Sequence, residues 1–297
     1  MNMKTKYVIV TPARDEDAYI ENTINAVIQQ TILPLKWFII SDGSTDNTDV
    51  IVKKYADDSD FIEFIRLDSG KKRDFGSKVK AIQVGYEKLQ HLDYDFFGNL
   101  DADISFGAYY YEQILNQFNQ NPKLGIAGGM IIDVGEDENR KILGSLNSVG
   151  CAVQMFRRQC YDTIGGYLPL KIGGEDSVAE AMARMHGWEV WTFPEIKVQH
   201  HRRMGTEGGS IYKARFLSGI EAYVIGYHPI FQVVKCLYRI QEQPKFIGSV
   251  LRFGGYCWSW CRRLEREVSE DFIKYLRTEQ MQRLKSQVLG RKVGLPI

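Results

Sequence analysis

The amino-acid sequence predicts an α/β protein: a doubly wound, mostly parallel but mixed sheet flanked by helices, followed by a C-terminal helical segment. Two observations carry this prediction. Short apolar runs rich in Val and Ile alternate with segments of helical spacing over residues 6–103, and this alternation is typical of parallel sheets. Polar side chains follow the ends of several of these runs, which is where such sheets bind their ligands.

The elements follow in a regular order up to residue 103. The first strand is "KYVIVTPA", and the helix after it has apolar residues at Ile20, Ile24, Val27 and Ile28. The strand "LKWFII" and the helix "TDVIVKKYAD" repeat this plan. A third strand, a helix and a fourth strand are then predicted at "FIEFIRLD", "KVKAIQVGYEKLQ" and "YDFFGNLDAD".

Beyond residue 125 the apolar runs are less regular. They predict additional, partly antiparallel strands at "LGIAGGMIID", "SLNSVGCAVQMFRR" and "WEVWTFPEIKVQHH". After about residue 215 the sequence becomes aromatic-rich and basic, with no internal repeat. We therefore expect the C-terminal part of the chain to be a separate, helical segment.

The composition is that of an ordinary globular protein, with 44% hydrophobic and 25% charged residues. A formal net charge of +1 gives no indication of nucleic acid binding. The five cysteines are scattered, without zinc-like spacing, which favours free thiols in a reducing compartment. The sequence contains neither a signal-peptide pattern nor 18 consecutive apolar residues. We expect a cytoplasmic protein.

Two aspartates, Asp101 and Asp103, lie one residue apart at the end of the fourth predicted strand. Residues i and i+2 of a strand share a face, so the two carboxylates would repel each other there. A turn would hold them in solvent instead. A bound divalent cation would make the pair useful, because Mg2+ and Mn2+ take oxygen ligands. The pair by itself leaves these interpretations open.

Two further acidic sites have both a structural and a functional interpretation. Asp42 ends the second strand in "SDGSTDNT", where an aspartate commonly forms an Asx turn or caps a helix. Glu175 and Asp176 precede a predicted helix, whose N-terminus favours acids. The glycines Gly173 and Gly174 favour a functional site, because glycine lets the backbone approach a ligand closely.

Four stretches taken together resemble glycosyltransferase family 2, whose members have the GT-A fold. In order they are "VIVTPARDEDAYIENTINAVIQQ", "WFIISDGSTDNT", "LDADISF" and "GGEDSVAEAMARMHGWEV", within roughly residues 6–205. The resemblance implies a catalytic domain at 1–225, with a nucleotide-binding half at about 1–105 and an acceptor half at about 106–225. Residues 226–297 would form the C-terminal segment.

The resemblance implies a nucleotide-sugar donor. Asp42 would accept hydrogen bonds from the base or ribose, since a carboxylate can take two such donors, and Asp101 would contact the ribose. The other donor-binding residues implied in this way are Thr11, Ala13, Arg14, Glu16 and Ala102.

A divalent metal, Mn2+ or Mg2+, is implied as well. Asp103 would bind the ion, which would bridge the two phosphates of the donor and stabilise the leaving group. His200 or His201 would complete the site, and the sequence does not distinguish them from each other or from a structural histidine pair. Arg202 and Arg203 are suited to bind the diphosphate.

The same resemblance assigns the chemistry to the second acidic pair. Inversion at the anomeric carbon requires a carboxylate that removes the proton from the acceptor hydroxyl. Asp176 would be this general base, and Glu175 would assist acceptor binding. The acceptor would be a saccharide or a lipid-linked sugar, in polysaccharide or glycolipid assembly for the cell envelope.

Lys78 resembles a basic residue that lies near the nucleotide in the family, but Ser77 stands where the family often has glycine. A solvated helix face is the alternative for Lys78. The chain also lacks the Q-x-x-R-W motif of processive members such as cellulose or hyaluronan synthases. We therefore expect transfer of a single sugar.

The C-terminal segment leaves three interpretations open. From Arg252 to Lys292 there are ten Lys or Arg against five Asp or Glu. This part is an ordinary packing helix, an interfacial helix on the anionic inner face of the cell membrane, or a homo-oligomer contact. The apolar residues that would line one face of the last predicted helix are Leu276, Met281, Leu284 and Val288.

Two other functions remain open. A nucleotidyltransferase usually carries a glycine-rich N-terminal loop with a catalytic cation, and "TPARDEDAYI" has no glycine. A non-catalytic nucleotide-sugar-binding protein would be expected to have lost part of its site. The set of Asp42, Asp101, Asp103 and Asp176 is intact.

Overall fold

The computed structural model describes residues 5–67, 75–133, 146–202 and 210–288. Within these residues the chain forms eight strands and ten α-helices. The strands are β1 Tyr7–Ala13, β2 Lys36–Asp42, β3 Ile62–Leu67, β4 Phe96–Asn99, β5 Ile104–Phe106, β6 Leu124–Asp133, β7 Met155–Arg157 and β8 Glu189–His200. The helices are α1 Ile20–Ile28, α2 Thr48–Asp57, α3 Phe75–Leu89, α4 Tyr110–Gln120, α5 Arg158–Ile164, α6 Glu175–Met185, α7 Ile211–Ile225, α8 Pro229–Tyr238, α9 Ile247–Cys261 and α10 Glu270–Val288.

The strands form one mixed sheet with the order β3-β2-β1-β4-β7-β6-β8-β5. Strand β1 is parallel to β2 and β4, and β2 is parallel to β3. In the second half, β7 is antiparallel to β4 and β6, β5 is antiparallel to β8, and β6 is parallel to β8. The predicted doubly wound sheet, with partly antiparallel strands in its second half, is confirmed.

Strand β1 is covered on both faces, which explains its unbroken apolar sequence. Ile9 lies in the core that includes Ile24 of α1, and Val10 lies in a second core that includes Ile82 of α3. Helix α1 and helix α3 therefore shield opposite faces of the sheet. The apolar stripe that the sequence predicts for α1 is buried at Ile20, Ile24 and Val27.

The pairing of β8 with β5 and β6 brings two segments that are distant in the sequence together at the end of β8. Strand β5 pairs with β8 so that Ile104 lies opposite His200. Strand β6 pairs with the other side of β8, and Asp133 lies opposite the same histidine. The end of β8 is thereby held beside residues 100–103, which connect β4 to β5.

The chain folds into two compact units. Unit 1 contains the sheet and α1–α6, and unit 2 contains α7–α10. Unit 2 therefore begins before the predicted C-terminal segment at residue 226, and the predicted division into domains stays a prediction. Unit 1 comprises Met1–Arg140, Leu146–Lys171 and Glu175–Arg202, and unit 2 comprises Lys141–Ser145, Ile172–Gly174 and Arg203–Ile297.

The apolar residues that the sequence assigns to the last helix are largely buried in α10. Leu276 is buried, and Met281 and Leu284 are half-buried. The side chain of Val288 lies outside the described residues. Within the described part of the chain, no helix combines the length and the hydropathy that crossing a membrane requires.

Candidate functional site

The candidate site lies at the carboxyl ends of β1, β2 and β4. These strands are parallel, so the loops that follow them emerge at the same edge of the sheet. Strands β2 and β3 lie on one side of β1, whereas β4 lies on the other, and the strand order therefore reverses between β1 and β4. Doubly wound sheets bind ligands at such a switch point.

Side-chain hydrogen bonds tie the loop after β1 to the loop after β2. Asp15 Oδ1 accepts hydrogen bonds from Thr45 N at 2.7 Å and from Thr45 Oγ1 at 3.1 Å. Thr48 Oγ1 accepts a hydrogen bond from Glu16 N at 2.7 Å. These bonds hold Asp15 at a φ of 55°, which is uncommon outside glycine. These hydrogen bonds thus join the two loops along one side of the site.

Asp42 is paired with the first basic residue of this edge. Arg14 Nη1 lies 3.4 Å from Asp42 Oδ2, and both side chains are largely shielded from solvent. Thr11 and Ala13 are buried in β1, and Thr11 Oγ1 accepts a hydrogen bond from Trp37 Nε1 at 2.9 Å. The hydroxyl of Thr11 therefore packs in the core beneath the loops, and a role of Thr11 and Ala13 in donor binding stays a prediction.

Lys78 of α3 is directed at Asp101. Its Nζ lies 2.8 and 2.9 Å from the two carboxylate oxygens of Asp101, and 3.5 Å from Cys151 Sγ. Burial lowers the pKa of Lys78, but the combined attraction of Asp101 and of the acidic groups near it, among them Glu175, outweighs burial and raises the pKa well above its usual value. Lys78 is therefore a charged partner of Asp101 and not part of a solvated helix face.

Asp101 and Asp103 do not lie in a strand, because β4 ends at Asn99. Asp103 is buried, and its Oδ2 lies 3.3 Å from His200 Nε2 and 3.8 Å from Arg202 Nε. The repulsion expected for a strand is therefore relieved, since each acid has its own cationic partner. Between the two acids, Ala102 is buried, and its carbonyl oxygen accepts a hydrogen bond from Thr23 Oγ1 at 2.8 Å.

His200 bridges two carboxylates. Its Nε2 faces Asp103, and its Nδ1 lies 2.8 Å from Asp133 Oδ1. Asp103 and Asp133, each by its proximity and its negative charge, together outweigh burial and raise the pKa of His200 to about 9. In turn, His200 and Arg202 together outweigh the effect of burial on Asp103 and lower the pKa of that carboxyl.

His201 has different surroundings. Its Nε2 lies 2.8 Å from Ser105 Oγ, and its ring stacks on Tyr19 with the centroids 6.1 Å apart. Burial lowers the pKa of His201. Arg202 Nη2 lies 2.5 Å from Glu16 Oε2, which joins the end of β8 to the loop after β1. Arg203 lies outside the described residues.

The surroundings of Asp103 are chemically compatible with a divalent cation. Among the described residues, no group of three or more His, Cys, Asp or Glu side chains is arranged to hold a metal ion. Asp103 and His200 nevertheless offer an adjacent carboxylate and imidazole, a donor pair that suits Mn2+. A cation held by this pair would take its other oxygen ligands from a bound ligand and from water.

Glu175 and Asp176 form the first turn of α6, after two glycines that both have a φ of 93°. Asp176 Oδ1 accepts a hydrogen bond from Ser177 N at 2.7 Å. Burial raises the pKa values of both Asp176 and Glu175. The positive charge of Lys78 lowers the pKa of Glu175, and the negative charge of Asp176 raises it. Lys78 lowers the pKa of Asp176 as well, so one cation acts on both acidic pairs.

Sequence reasoning missed three residues of this region. Asp133 ends the apolar run "LGIAGGMIID", and its position after a strand is the same signal that identified Asp42. Glu180 is buried one turn after Asp176, accepts hydrogen bonds from Val149 N at 2.6 Å and Gln154 Nε2 at 3.1 Å, and has a pKa that burial raises to about 7. Cys151, beside Lys78, had no sequence signal.

The family model described as Glycosyl transferase family 2 matches residues 8–162, which include β1 from its second residue onward, β2 to β4, and both Asp101 and Asp103. The matched family is one of glycosyltransferases. The chain belongs to glycosyl transferase family 2, as the sequence motifs predict.

Curated relatives resemble only part of the chain. The poly-beta-1,6-N-acetyl-D-glucosamine synthase of Staphylococcus aureus (strain COL) is 32% identical over 117 residues, which is 39% of this chain and 26% of the synthase. The synthase of the same name from Staphylococcus epidermidis is 29% identical over 117 residues, with the same two shares, 39% and 26%. The chain thus matches about a quarter of the length of these relatives.

Solved structures resemble the fold over nearly the whole chain. The mannosyltransferase PcManGT from Pyrobaculum calidifontis, solved in complex with GDP-Man and Mn2+, has a TM-score of 0.58 at 12% identity and covers 97% of this chain and 87% of its own. Residues 1–349 of S. aureus TarS, in complex with UDP-GlcNAc, have a TM-score of 0.55 at 12% identity and cover 97% and 84%. The predicted GT-A fold is confirmed.

Proposed function

We propose that the protein transfers one sugar from a nucleoside-diphosphate sugar to an acceptor hydroxyl, with inversion at the anomeric carbon and with a divalent metal. The observation that carries this proposal is the position of Lys78. It pairs with Asp101 of the D-x-D segment, and its charge also acts on Glu175 and Asp176. An acidic pair suited to a donor and an acidic pair suited to a proton transfer thus belong to one electrostatic site.

The edge formed by the carboxyl ends of β1, β2 and β4 would bind the donor. Asp42 would accept hydrogen bonds from the base or ribose, with Arg14 holding its carboxylate in place. Asp101 would contact the ribose, with Lys78 as its counter-ion. Arg202, which already lies beside two acids, would turn its planar guanidinium to the diphosphate when the donor binds.

Asp103 and His200 would hold the metal, and a bound ion would stabilise the negative charge that develops on the diphosphate leaving group. For this, His200 must release the proton that it shares with Asp103 at Nε2. Asp133 stays hydrogen-bonded to Nδ1, so the ring orientation is kept when that proton leaves. His201, engaged with Ser105 and Tyr19, is not part of this set.

Asp176 would act as the general base. A raised pKa makes its carboxylate a better proton acceptor than an exposed aspartate. The hydrogen bond from Ser177 N fixes the orientation of this carboxylate, which would face the acceptor hydroxyl. Glu175, in the same helical turn, would position the acceptor.

For the acceptor we propose a saccharide or a lipid-linked sugar, in the assembly of a polysaccharide or glycolipid of the cell envelope. The partial similarity to a poly-beta-1,6-N-acetyl-D-glucosamine synthase supports this class of product.

Ligand-induced stabilisation tests the donor and the metal together. UDP-GlcNAc and GDP-Man should be compared with other sugar nucleotides in thermal unfolding, each with Mn2+ and with EDTA. We expect one of them to raise the melting temperature in Mn2+ but much less in EDTA, because only the native state binds it. If no sugar nucleotide has this effect with Mn2+, the proposed donor class is wrong.

The released product then separates the enzyme classes. Transfer releases a nucleoside diphosphate, whereas a nucleotidyltransferase would form or cleave the diphosphate itself. The anomeric configuration of the sugar product, followed by NMR from the start of the reaction, tests the single displacement. A product that retains the configuration of the donor would rule out the inverting mechanism.

A further inference from the structure

Helix α9 is amphipathic, but it buries its polar face and exposes its apolar face, which is the reverse of the usual arrangement in a globular protein. Its buried residues are mostly small or polar, and they include Gly248, Arg252, Gly255 and Ser259. Its exposed residues are apolar, and the most exposed is Val250, at 70%. A surface helix normally turns its apolar stripe to the core. The other large apolar residues exposed on α9 are Ile247, Phe253, Trp258 and Trp260.

The buried face of α9 is small because α7 lies very close to it. A Cβ atom at Gly219 of α7 would collide with the carbonyl oxygen of Arg252, and one at Gly255 with the carbonyl oxygen of Phe216. Close packing through small residues is common between helices that lie in lipid, where the outer surface can be apolar. The one charge on this face is satisfied, since Arg252 donates hydrogen bonds to Glu242 and Ser218.

Helix α8 adds a second exposed apolar face. Ser249 Oγ of α9 donates a hydrogen bond to Cys236 O at 2.7 Å, so the two helices are neighbours within unit 2. The exposed apolar residues of α8 have the spacing i, i+3, i+7 and i+8, which places them on one side of the helix. They are Ile230, Val233, Leu237 and Tyr238. We call the exposed apolar residues of both helices the α8–α9 face.

The charges around this face are almost all positive. Residues 229–263 contain six Lys or Arg and one acid, Glu242. Exposed cations lie just outside the ends of α9, with Lys245 before it and Arg262 and Arg263 after it. Trp258 and Trp260 lie next to the second of these ends, and tryptophan is enriched where apolar and aqueous surroundings meet.

We propose that the α8–α9 face docks the protein on the surface of an anionic lipid bilayer, with α8 and α9 in the plane of the headgroups. At 1.5 Å per residue α9 is about 22 Å long, shorter than the hydrocarbon core of about 30 Å. The helices therefore lie on the membrane and do not span it. This inference does not depend on the proposed transfer reaction. It also moves the lipid contact away from α10, whose apolar residues are largely buried.

Charge favours lipid over a second copy of the chain as the occupant. Anionic headgroups would complement the exposed cations at both ends of α9. A second copy that met this face would offer few acids in return. The only acid of the segment, Glu242, already accepts a hydrogen bond from Arg252 and lies within 4 Å of Arg215 and Arg239.

Flotation with vesicles tests the proposal on the full chain. We expect binding to phosphatidylcholine vesicles that contain roughly one-third phosphatidylglycerol, weaker binding to phosphatidylcholine alone, and release as salt rises from about 0.1 to about 0.5 M. Val250→Asp should weaken binding roughly tenfold or more, because it removes apolar area and adds a charge of the wrong sign. Val50→Asp is the matched control, since Val50 of α2 is 68% exposed, and it should bind like the unmodified protein.

The contribution of charge to vesicle binding can be separated from the contribution of apolar insertion. Arg262→Ser and Arg263→Ser should each weaken binding to anionic vesicles about fivefold and leave binding to neutral vesicles unchanged. Lys285→Ser on α10 is the control for a general effect of charge. Lipids brominated on the acyl chain should quench tryptophan fluorescence, and Trp260→Phe should remove much of this quenching, whereas Trp188→Phe should not.

The proposal is overturned if the unmodified protein does not bind anionic vesicles, or if Val250→Asp binds them as well as Val50→Asp does. If Val250→Asp instead dissociates a dimer measured by light scattering, and vesicles are not bound, the face is a self-association surface. Donor-induced stabilisation should be measured on the same samples. Its absence beside intact vesicle binding would contradict the proposed function alone.

Discussion

The two acidic pairs of the site differ in how their charge is compensated. Asp101 and Asp103 each have a cationic partner, Lys78 for the first and His200 for the second. Glu175 and Asp176 adjoin each other, and burial raises the pKa of both carboxyls. A carboxylate with a lowered pKa, such as Asp103, is suited to hold a cation, whereas one with a raised pKa is suited to accept a proton. The same residue type is thus adapted to two tasks by its neighbours.

The largest effect is expected from Asp176→Asn. This change keeps the size of the side chain and most of its hydrogen bonds but removes the proton acceptor. We expect kcat to fall by roughly 10^2- to 10^4-fold. Donor affinity should change little, because Asp42, Asp101 and Asp103 are unaltered. A loss of turnover without a loss of donor binding identifies an interaction made in the transition state.

The control for this change is Asp57→Asn, at an exposed position of α2. It should leave both kcat and donor-induced stabilisation unchanged. An Asp176→Asn enzyme with near-normal turnover would contradict the assignment of the base and remove the functional contrast between the two acidic pairs.

Substitution of the adjacent histidines should separate metal binding from packing. His200→Gln removes the imidazole next to Asp103, and we expect the Mn2+ concentration for half-maximal activity to rise roughly 10- to 100-fold. His201→Gln should change this concentration by less than about threefold, because His201 contacts Ser105 and Tyr19 instead.

Asp103→Ala should behave like His200→Gln or more severely, since it removes the carboxylate ligand. If His201→Gln raises the Mn2+ requirement and His200→Gln does not, the assignment of the metal ligand has to be exchanged. Activity of the Asp103→Ala enzyme in EDTA equal to that of the unmodified enzyme in Mn2+ would contradict metal dependence.

Lys78→Met tests the link between the two pairs. Lys78 lowers the pKa of Glu175 and of Asp176, so its removal should raise both values. A general base acts only when it is deprotonated. The acid limb of the profile of kcat/KM against pH should therefore move to higher pH. Lys80→Met, two residues further along α3 at an exposed position, should not move it. An unmoved limb in Lys78→Met would mean that the two pairs act independently.

The smallest effect concerns stability and Glu180. Burial raises the pKa of Glu180 to about 7 in the folded state, above its usual value of 4.5. Between these two values the folded state holds a proton that the unfolded state has released. The free energy of unfolding should therefore fall as pH rises from about 4.5 to about 7, by about 1–3 kcal/mol at most. Denaturant unfolding at several pH values measures this slope.

Glu180→Gln stays neutral at all pH values and keeps an oxygen that can accept the hydrogen bonds from Val149 N and Gln154 Nε2. We expect the slope between about pH 4.5 and about pH 7 to become shallower in this variant. An equal slope in both proteins would mean that other groups cause the pH dependence.

Much of unit 1 could be predicted from the sequence. The alternation of apolar strands and amphipathic helices predicts a doubly wound sheet, because each period reports directly which face of an element is buried. Asp42 and Asp101 stood out because they follow strands, and the carboxyl ends of parallel strands share one edge. Asp133 carried the same signal but was overlooked, since its strand lies in the less regular half of the sheet.

What the sequence by itself determined about this protein is its family, its sheet and the edge at which its polar residues gather. Only the tertiary structure decided which partner each residue has. The separation of His200 from His201 follows from the pairing of β8 with β5 and β6, which sets Asp103 and Asp133 around one ring. The outward apolar face of α9 follows from its glycine contact with α7. Periodicity predicts that a helix has two faces, but which one is buried depends on what packs against it.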